Sequence, residues 1–227
     1  MKYGIIFSIL SVALTLYALK LGGLHVLLLW PALSFGVVAF AYSNSDHRVF
    51  GKRVDGSMSG TSVVLLGPYL FCLSLIWHMV RLFSREPAYN TLTGDVLIGR
   101  RLLSHEIPPE TKTVVDLTCE FFEVIAFRSV QNYIAAPILD AATLPRHALV
   151  ELVVRVADAE GPVYIHCAQG HGRTGLIAAL LLIARGEAKT PDDALQIIRS
   201  SRPRVSLNRI QIAALWDAFP LIQPGLR

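Results

Sequence analysis

Three long apolar runs occupy most of the first 85 residues of the chain. They cover roughly residues 3–19, 24–42 and 62–80, and none of them contains Asp, Glu, Lys or Arg. A helix that crosses the hydrocarbon core of a bilayer needs about 17 to 25 apolar residues. A helix in water needs a polar face, which these runs lack. The pattern therefore predicts three transmembrane helices within a membrane region of residues 1–85.

A secretory signal peptide is the alternative interpretation of the first run, because Lys2 precedes the apolar residues. Signal peptides end at a small-residue cleavage motif, whereas Lys20 stands where that cleavage would be expected. We therefore favour a retained helix. The whole chain is 53% hydrophobic and 17% charged, which is more apolar than an ordinary soluble protein and agrees with a membrane region.

The formal net charge of +4 raises the question of a nucleic-acid partner. Residues 87–227 contain as many basic as acidic residues, so the whole surplus lies in the membrane region. We therefore predict no nucleic-acid partner. The three cysteines, Cys72, Cys119 and Cys167, do not form an even extracellular set, which favours a reducing compartment for the soluble part.

From residue 87 onward, short β-branched runs alternate with amphipathic segments. The predicted strands are Val96–Ile98, Thr113–Leu117 and Pro162–His166. The predicted helices cover residues 146–159, 174–185, 191–200 and 207–218. This alternation predicts one α/β domain over residues 87–227, with helices on both faces of a central sheet.

The most informative segment is the loop between the last predicted strand and the apolar helix that follows it. A strand, a glycine-rich loop and a helix N-terminus together point backbone N–H groups into one concavity that fits a phosphate. The two loop glycines allow the backbone to approach the ligand closely. The predicted phosphate-binding residues are Ala168, Gln169, Gly170, His171, Gly172 and Arg173.

Cys167 lies at the base of this loop, where the positive field of the helix N-terminus favours a thiolate nucleophile. Arg173 at the far end of the loop can donate a planar fork of hydrogen bonds to two phosphate oxygens. The hydroxyl of Thr174 is placed to donate to the sulfur when it leaves a phospho-cysteine intermediate. These roles predict a cysteine-dependent phosphatase that needs neither a metal nor a cofactor.

The motif His-Cys-x5-Arg-Thr-Gly resembles the signature of the protein tyrosine phosphatase superfamily. The domain length is similar to that of the dual-specificity and lipid-phosphatase branches. The resemblance extends over roughly Asn90–Phe219 and includes three segments before the signature. These segments are Leu97-Ile98-Gly99, Val115-Asp116-Leu117-Thr118 with Glu120, and Pro137-Ile138-Leu139-Asp140.

The resemblance implies a general acid on a loop before the signature, and Asp140 matches it by position and context. Asp140 could instead be an ordinary turn or cap residue before the next helix, while Asp116 and Asp158 are rival acids. The resemblance also implies that His166 holds the loop and tunes the cysteine, although a buried histidine can merely satisfy a hydrogen bond. His171 could add positive charge toward the substrate or simply face solvent.

Cys119 lies near the position where some lipid phosphatases of this superfamily keep a protective second cysteine, but its register differs by one residue. A basic cluster after the signature is expected to be solvated or to contact acidic headgroups. Its members are Arg199, Arg202, Arg204 and Arg209.

The predicted function is hydrolysis of a phosphorylated lipid or phosphoprotein by a membrane-anchored phosphatase. The alternative is a non-catalytic phosphate-binding module, or pseudophosphatase, and a sulfur-transfer enzyme is disfavoured by the Arg-Thr-Gly ending. The basic residues flanking the apolar runs divide almost evenly between the two sides of a three-span topology. We assign the domain to the cytoplasmic side because a reactive thiolate favours reducing conditions.

Overall fold

A computed structural model describes residues 2–222 of the chain, which form two compact units. The first unit holds most residues up to Arg85 together with Cys119–Phe122. The second unit holds Glu86–Thr118, the residues from Glu123 onward and the short segment Val54–Gly56.

The first unit is built from three apolar helices: α1 (Lys2–Leu21), α2 (Leu29–Asn44) and α3 (Gly60–Phe83). A 3₁₀ turn, Gly23–Leu28, precedes α2, so the second predicted run is not α-helical from its start. Gly22 causes the break, because its φ of 60° favours a residue without a side chain. Together with that turn, the three helices are long and apolar enough to cross a membrane.

The second unit contains a five-stranded sheet in the order β1-β2-β5-β3-β4. The edge strand β1 pairs with β2 in antiparallel fashion, and the other neighbours are parallel. The strands are β1 (Tyr89–Thr93), β2 (Val96–Arg100), β3 (Thr113–Thr118), β4 (Asn132–Ile138) and β5 (Val163–Cys167). The order places β5 at the centre, so its last residue emerges from the middle of the sheet.

Helices cover both faces of this sheet. Neighbouring residues of a strand point to opposite sides, and both sides carry apolar side chains that need to be covered. Val115 and Ile165 face the main core, while Val114 and Tyr164 face a smaller cluster with Phe127. The main core is formed with α5 (Arg146–Ala157), α6 (Gly172–Ala184), α7 (Pro191–Ser201) and α8 (Arg209–Ala218). The second face carries the single-turn α4 (Ile125–Arg128). The predicted α/β class is therefore confirmed, with most of the helical mass on one face.

Several predicted boundaries need correction. The sequence patterns do not predict β1 or β4, and the predicted strand 162–166 is displaced by one residue. The helix predicted at 207 begins at Arg209, because the side chain of Asn208 accepts a hydrogen bond from the Gln211 N–H and caps the helix. The helix predicted at 174 begins at Gly172, which brings Arg173 into its first turn.

Candidate functional site

The loop Ala168–His171 connects the central strand β5 to the N-terminus of the buried helix α6. Gly170 has a φ of +73°, a conformation that side chains disfavour. A Cβ atom there would also lie 2.3 Å from the carbonyl oxygen of Gly99 in β2. Both constraints hold the centre of the loop close to the sheet, so glycine is required at this position.

The nucleophile candidate Cys167 is 3% exposed, and its sulfur accepts a hydrogen bond from the Gly170 N–H at 3.3 Å. Burial alone would raise the pKa of the Cys167 thiol. The positive charge of Arg173, the hydroxyl and N–H of Thr174 and the N–H of His171 outweigh burial and lower the pKa. The loop therefore favours the thiolate, which is the nucleophilic form of cysteine.

A buried ion cluster lies behind the nucleophile. His166 is fully buried, with its Nε2 atom 3.0 Å from Glu123 Oε2 and 3.9 Å from Asp116 Oδ1. Burial opposes protonation of His166, but the negative charges of Glu123 and Asp116 prevail and raise its pKa. A charged Cys167 sulfur also favours protonation of His166, so the two groups interact although their side chains leave β5 on opposite faces.

The ligand atoms of this cluster lie within 4.8 Å of one another, a spacing that could suit a metal ion. The oxygens of Asp116 already accept hydrogen bonds from Thr118 and from the hydroxyl of Tyr133. The donor set is therefore better described as an ion pair that charges His166 than as a vacant coordination site.

Arg173 is 2% exposed and donates from Nη1 to the carbonyl oxygens of Ile138 at 2.8 Å and Leu117 at 3.3 Å. These carbonyls lie at the carboxyl ends of β4 and β3, next to the loop at the end of β5. The Nη2 atom of Arg173 lies 3.4 Å from Asp140 Oδ1, and the Asp140 side chain is 52% exposed. The structure thus brings Asp140 to the phosphate loop.

The two rival acids lie elsewhere. Asp116 is fully buried in the ion cluster on β3, and Asp158 is exposed at the C-terminal end of α5. Cys119 is buried and its thiol donates to Glu120 Oε2 at 3.3 Å. Among the three aspartates, Asp140 is the one with a carboxylate beside Arg173.

The structure corrects the predictions for Arg202 and His171. Arg202 is not part of a solvated face, because its side chain is 1% exposed and donates to Glu86 at 3.0 Å. His171 does not simply face solvent, since its Nε2 atom lies 2.7 Å from Glu86 Oε2. Sequence reasoning missed Glu86 and Glu123 as site residues, and no spacing pattern marks either of them.

Residues 110–214 match the family model described as the dual-specificity phosphatase domain of Swiss Army Knife proteins. This range contains Asp140, Cys167 and Arg173. The chain is also 35% identical over 82 residues to a protein of Invertebrate iridescent virus 6 that carries the name of a tyrosine phosphatase, 197R. That similarity covers 33% of this chain and spans only 30% of the viral protein.

Two solved structures resemble the second unit. Tk-PTP in its active form has a TM-score of 0.54 at 22% identity, covering 59% of this chain and 97% of that chain. A mouse dual specificity phosphatase solved with zinc tungstate has a TM-score of 0.51 at 17% identity, covering 61% and 90%. At these identities the likeness shows the fold. The family-model match covers residues 110–214, which is less than half of the chain.

Proposed function

We propose that the protein is a membrane-anchored phosphatase that hydrolyses phosphomonoesters through a phospho-cysteine intermediate. The observation that carries this proposal is the buried Cys167, whose lowered pKa favours the thiolate at the N-terminus of α6 beside Arg173. In this proposal residues 1–85 form the membrane region, and residues 87–227 form the catalytic domain.

The first chemical step transfers the phosphoryl group to the enzyme. The Cys167 thiolate attacks phosphorus, so that an S–P bond forms as the ester P–O bond breaks. Asp140 gives its proton to the leaving oxygen, which departs as an alcohol. Arg173 and the loop N–H groups stabilise the charge on the non-bridging phosphate oxygens in the transition state.

The second step returns the enzyme to its starting state. Asp140, now a carboxylate, takes a proton from water as the water oxygen attacks phosphorus. The S–P bond breaks, inorganic phosphate is released and the Thr174 hydroxyl stabilises the departing thiolate. His166 transfers no proton in either step and acts through its electrostatic interaction with the charged Cys167 sulfur.

The apolar helices support a substrate in the membrane, because tethering raises the local concentration of the enzyme at a lipid surface. We therefore propose a phospholipid phosphomonoester as the preferred substrate class, with a membrane phosphoprotein as the alternative. The catalytic domain is proposed to face the cytoplasm. A reporter fused to the C-terminus should be active in the cytoplasm, and activity restricted to the other side would refute this orientation.

The activity test uses the full chain purified in detergent. Phosphate release is measured from a phosphatidic acid micelle, a phosphotyrosine peptide and p-nitrophenyl phosphate. The unmodified protein is compared with Cys167→Ser, and Cys72→Ser is the matched control for the loss of a thiol. We expect turnover on all three, with the highest kcat/KM on the lipid. Comparable turnover of lipid and peptide would remove the lipid preference. Binding of phosphate without turnover of any ester would favour the phosphate-binding module instead.

The physiological substrate can be sought with Asp140→Ala, which should retain the phosphate loop but react slowly. When a membrane extract is passed over this variant, a phosphomonoester should remain bound to the protein. Cys167→Ser provides a second trap, because it cannot form the phospho-cysteine intermediate.

A further inference from the structure

Arg202 lies outside the signature motif, in the connection between α7 and α8, yet it contacts the phosphate loop directly. Its Nε atom donates to the Gly170 carbonyl oxygen at 3.0 Å, and its Nη2 atom donates to the Gln169 carbonyl oxygen at 3.2 Å. The side chain is 1% exposed, so these bonds form away from water. Arg202 thus fixes the positions of two consecutive carbonyl groups of the loop.

Fixing these carbonyls also fixes the direction of the next two N–H groups. In a trans peptide unit the C=O and the following N–H point in opposite directions. When Arg202 holds the Gln169 and Gly170 oxygens outward, the N–H groups of Gly170 and His171 must point inward. The Gly170 N–H does lie 3.3 Å from the Cys167 sulfur, and the His171 N–H contributes to the lowered pKa of Cys167.

Glu86 connects this arrangement to the segment that follows α3. It lies three residues after the last residue of α3, and its side chain is 9% exposed. One carboxylate oxygen, Oε2, lies 3.0 Å from Arg202 Nη2 and 2.7 Å from His171 Nε2. The backbone of the same segment also contributes, since Arg202 Nη1 donates to the Pro87 carbonyl oxygen at 3.0 Å.

We propose that Arg202 and Glu86 are positioning residues that hold the phosphate loop in its anion-binding form, and that they join this loop to the chain leaving α3. The proposal rests on the phosphatase function proposed above, but it concerns the geometry of the loop before any substrate reacts. Neither residue touches the reacting atoms. Both act by directing the loop N–H groups toward the sulfur and the phosphate site.

The first test replaces Arg202 with lysine in the full-length protein, which keeps the charge but loses the planar fork. A single ammonium cannot hold two carbonyls and Glu86 in the same geometry. We expect kcat/KM to fall roughly tenfold to a hundredfold, as displaced catalytic groups typically cause. We also expect the pH midpoint for alkylation of Cys167 by iodoacetamide to rise, and the affinity for inorganic phosphate to fall.

The matched control is Arg204→Lys, two residues away and exposed. It should leave the alkylation midpoint and the phosphate affinity unchanged. The inference would be overturned if Arg202→Lys gave the same alkylation midpoint and phosphate affinity as this control. Loss of stability alone would not move the alkylation midpoint of the folded fraction.

The second test, Glu86→Gln, decides the question even where Arg202→Lys does not fold. Removing a negative charge near an anion site strengthens anion binding by Coulomb attraction alone. Weaker binding of inorganic phosphate can therefore come only from a displaced loop, and we expect a loss of several-fold. Unchanged or tighter binding would overturn the role of Glu86, with the exposed Glu187→Gln as the control.

These measurements separate this inference from the proposed function. Phosphate binding and Cys167 alkylation need no turnover, so they test the positioning role even if the unmodified protein hydrolyses no ester. Turnover with unaffected binding and alkylation in both variants would leave the phosphatase proposal intact and refute the positioning role.

Discussion

The two halves of the candidate site differ in how they are held. The nucleophile half is enclosed, since Cys167 is 3% and Arg173 2% exposed, and both belong to elements buried in the core. The acid half is open, because Asp140 follows the end of β4 on a turn and its side chain is 52% exposed. The difference indicates that the proposed anion site is formed in advance, whereas the proposed acid can exchange partners when a substrate arrives.

The acid turn is nevertheless anchored through its backbone. Ala141 has a positive φ of 59°, which an alanine seldom adopts. Its carbonyl oxygen accepts a hydrogen bond from Asn208 Nδ2 at 2.8 Å, and the next carbonyl accepts one from Gln211 Nε2 at 3.2 Å. The turn is thus fixed by side chains at the start of α8, while the carboxylate of Asp140 remains accessible.

The largest expected effect comes from the enclosed half. Cys167→Ser should lower turnover by about 10⁴-fold or more, because a serine in this field remains a protonated, weak nucleophile. Binding of inorganic phosphate should persist, since the loop N–H groups and Arg173 are unchanged. Steady-state turnover and equilibrium phosphate binding measure the two properties separately. Retention of turnover within tenfold of the unmodified protein would mean that Cys167 is not the nucleophile.

The next effect comes from the open half. Asp140→Asn should lower kcat by about 10²- to 10³-fold, the usual contribution of a general acid. The loss should be larger for an alkyl phosphate than for p-nitrophenyl phosphate, whose leaving group needs less protonation. Asp158→Asn is the control, because that carboxylate is exposed at the end of α5. Equal losses on both esters would assign the acid to another group.

A smaller effect should come from the ion cluster behind the nucleophile. Glu123→Gln removes the nearest negative charge from His166, so the raised pKa of that histidine should fall and the thiolate of Cys167 should lose support. We expect roughly a tenfold loss of kcat/KM at the acidic end of the pH–rate profile. This loss is comparable to that of one charged hydrogen bond. The acidic limb of the plot of kcat/KM against pH should move to higher pH.

The pH dependence of the stability of Glu123→Gln is an independent test of the protonation of His166. Because folding raises the pKa of His166, its contribution to stability is complete below the pKa of an unfolded histidine and is lost as the pH rises through the folded value. Glu123→Gln should therefore flatten the dependence of the unfolding midpoint on pH in this window. An unchanged slope would show that His166 is neutral in the folded protein.

The parts of the fold that were predictable are those with a clear local pattern. β3 and β5 are rich in β-branched and other apolar residues, and α6 is apolar between a glycine-rich loop and Gly186, so local sequence defines them. Strand β4 contains Pro137, and the edge strand β1 reads Tyr-Asn-Thr-Leu-Thr, with little apolar character. Both form because partner strands supply their hydrogen bonds, which a local pattern does not record.

The site divides in the same way. The residues of the signature are contiguous, so their chemistry can be interpreted from the sequence, as can the candidate acid once a family resemblance is recognised. Glu86 and Arg202 lie 116 positions apart and meet only in the folded domain. Glu123 likewise reaches His166 from the segment before α4. Arg202 looks like a surface residue in the sequence, because its hydrogen-bond partners are mostly backbone oxygens that no composition reveals.

The smallest predicted effect distinguishes the buried nucleophile half of the site from the exposed acid half. Asn208→Ser keeps a side chain that can cap α8 but is too short to donate to the Ala141 carbonyl. Losing one hydrogen bond of about 1 kcal/mol should lower kcat on an alkyl phosphate roughly fivefold through a less ordered Asp140. The alkylation midpoint of Cys167 should not move, because this bond joins Asn208 to Ala141 and neither residue is among the groups that lower the pKa of Cys167. Thr190→Ser, which alters the N-cap of α7, is the matched control. A shift of the Cys167 midpoint in Asn208→Ser would mean that the two halves are coupled, and that the exposed acid turn helps to set the charge of the buried nucleophile.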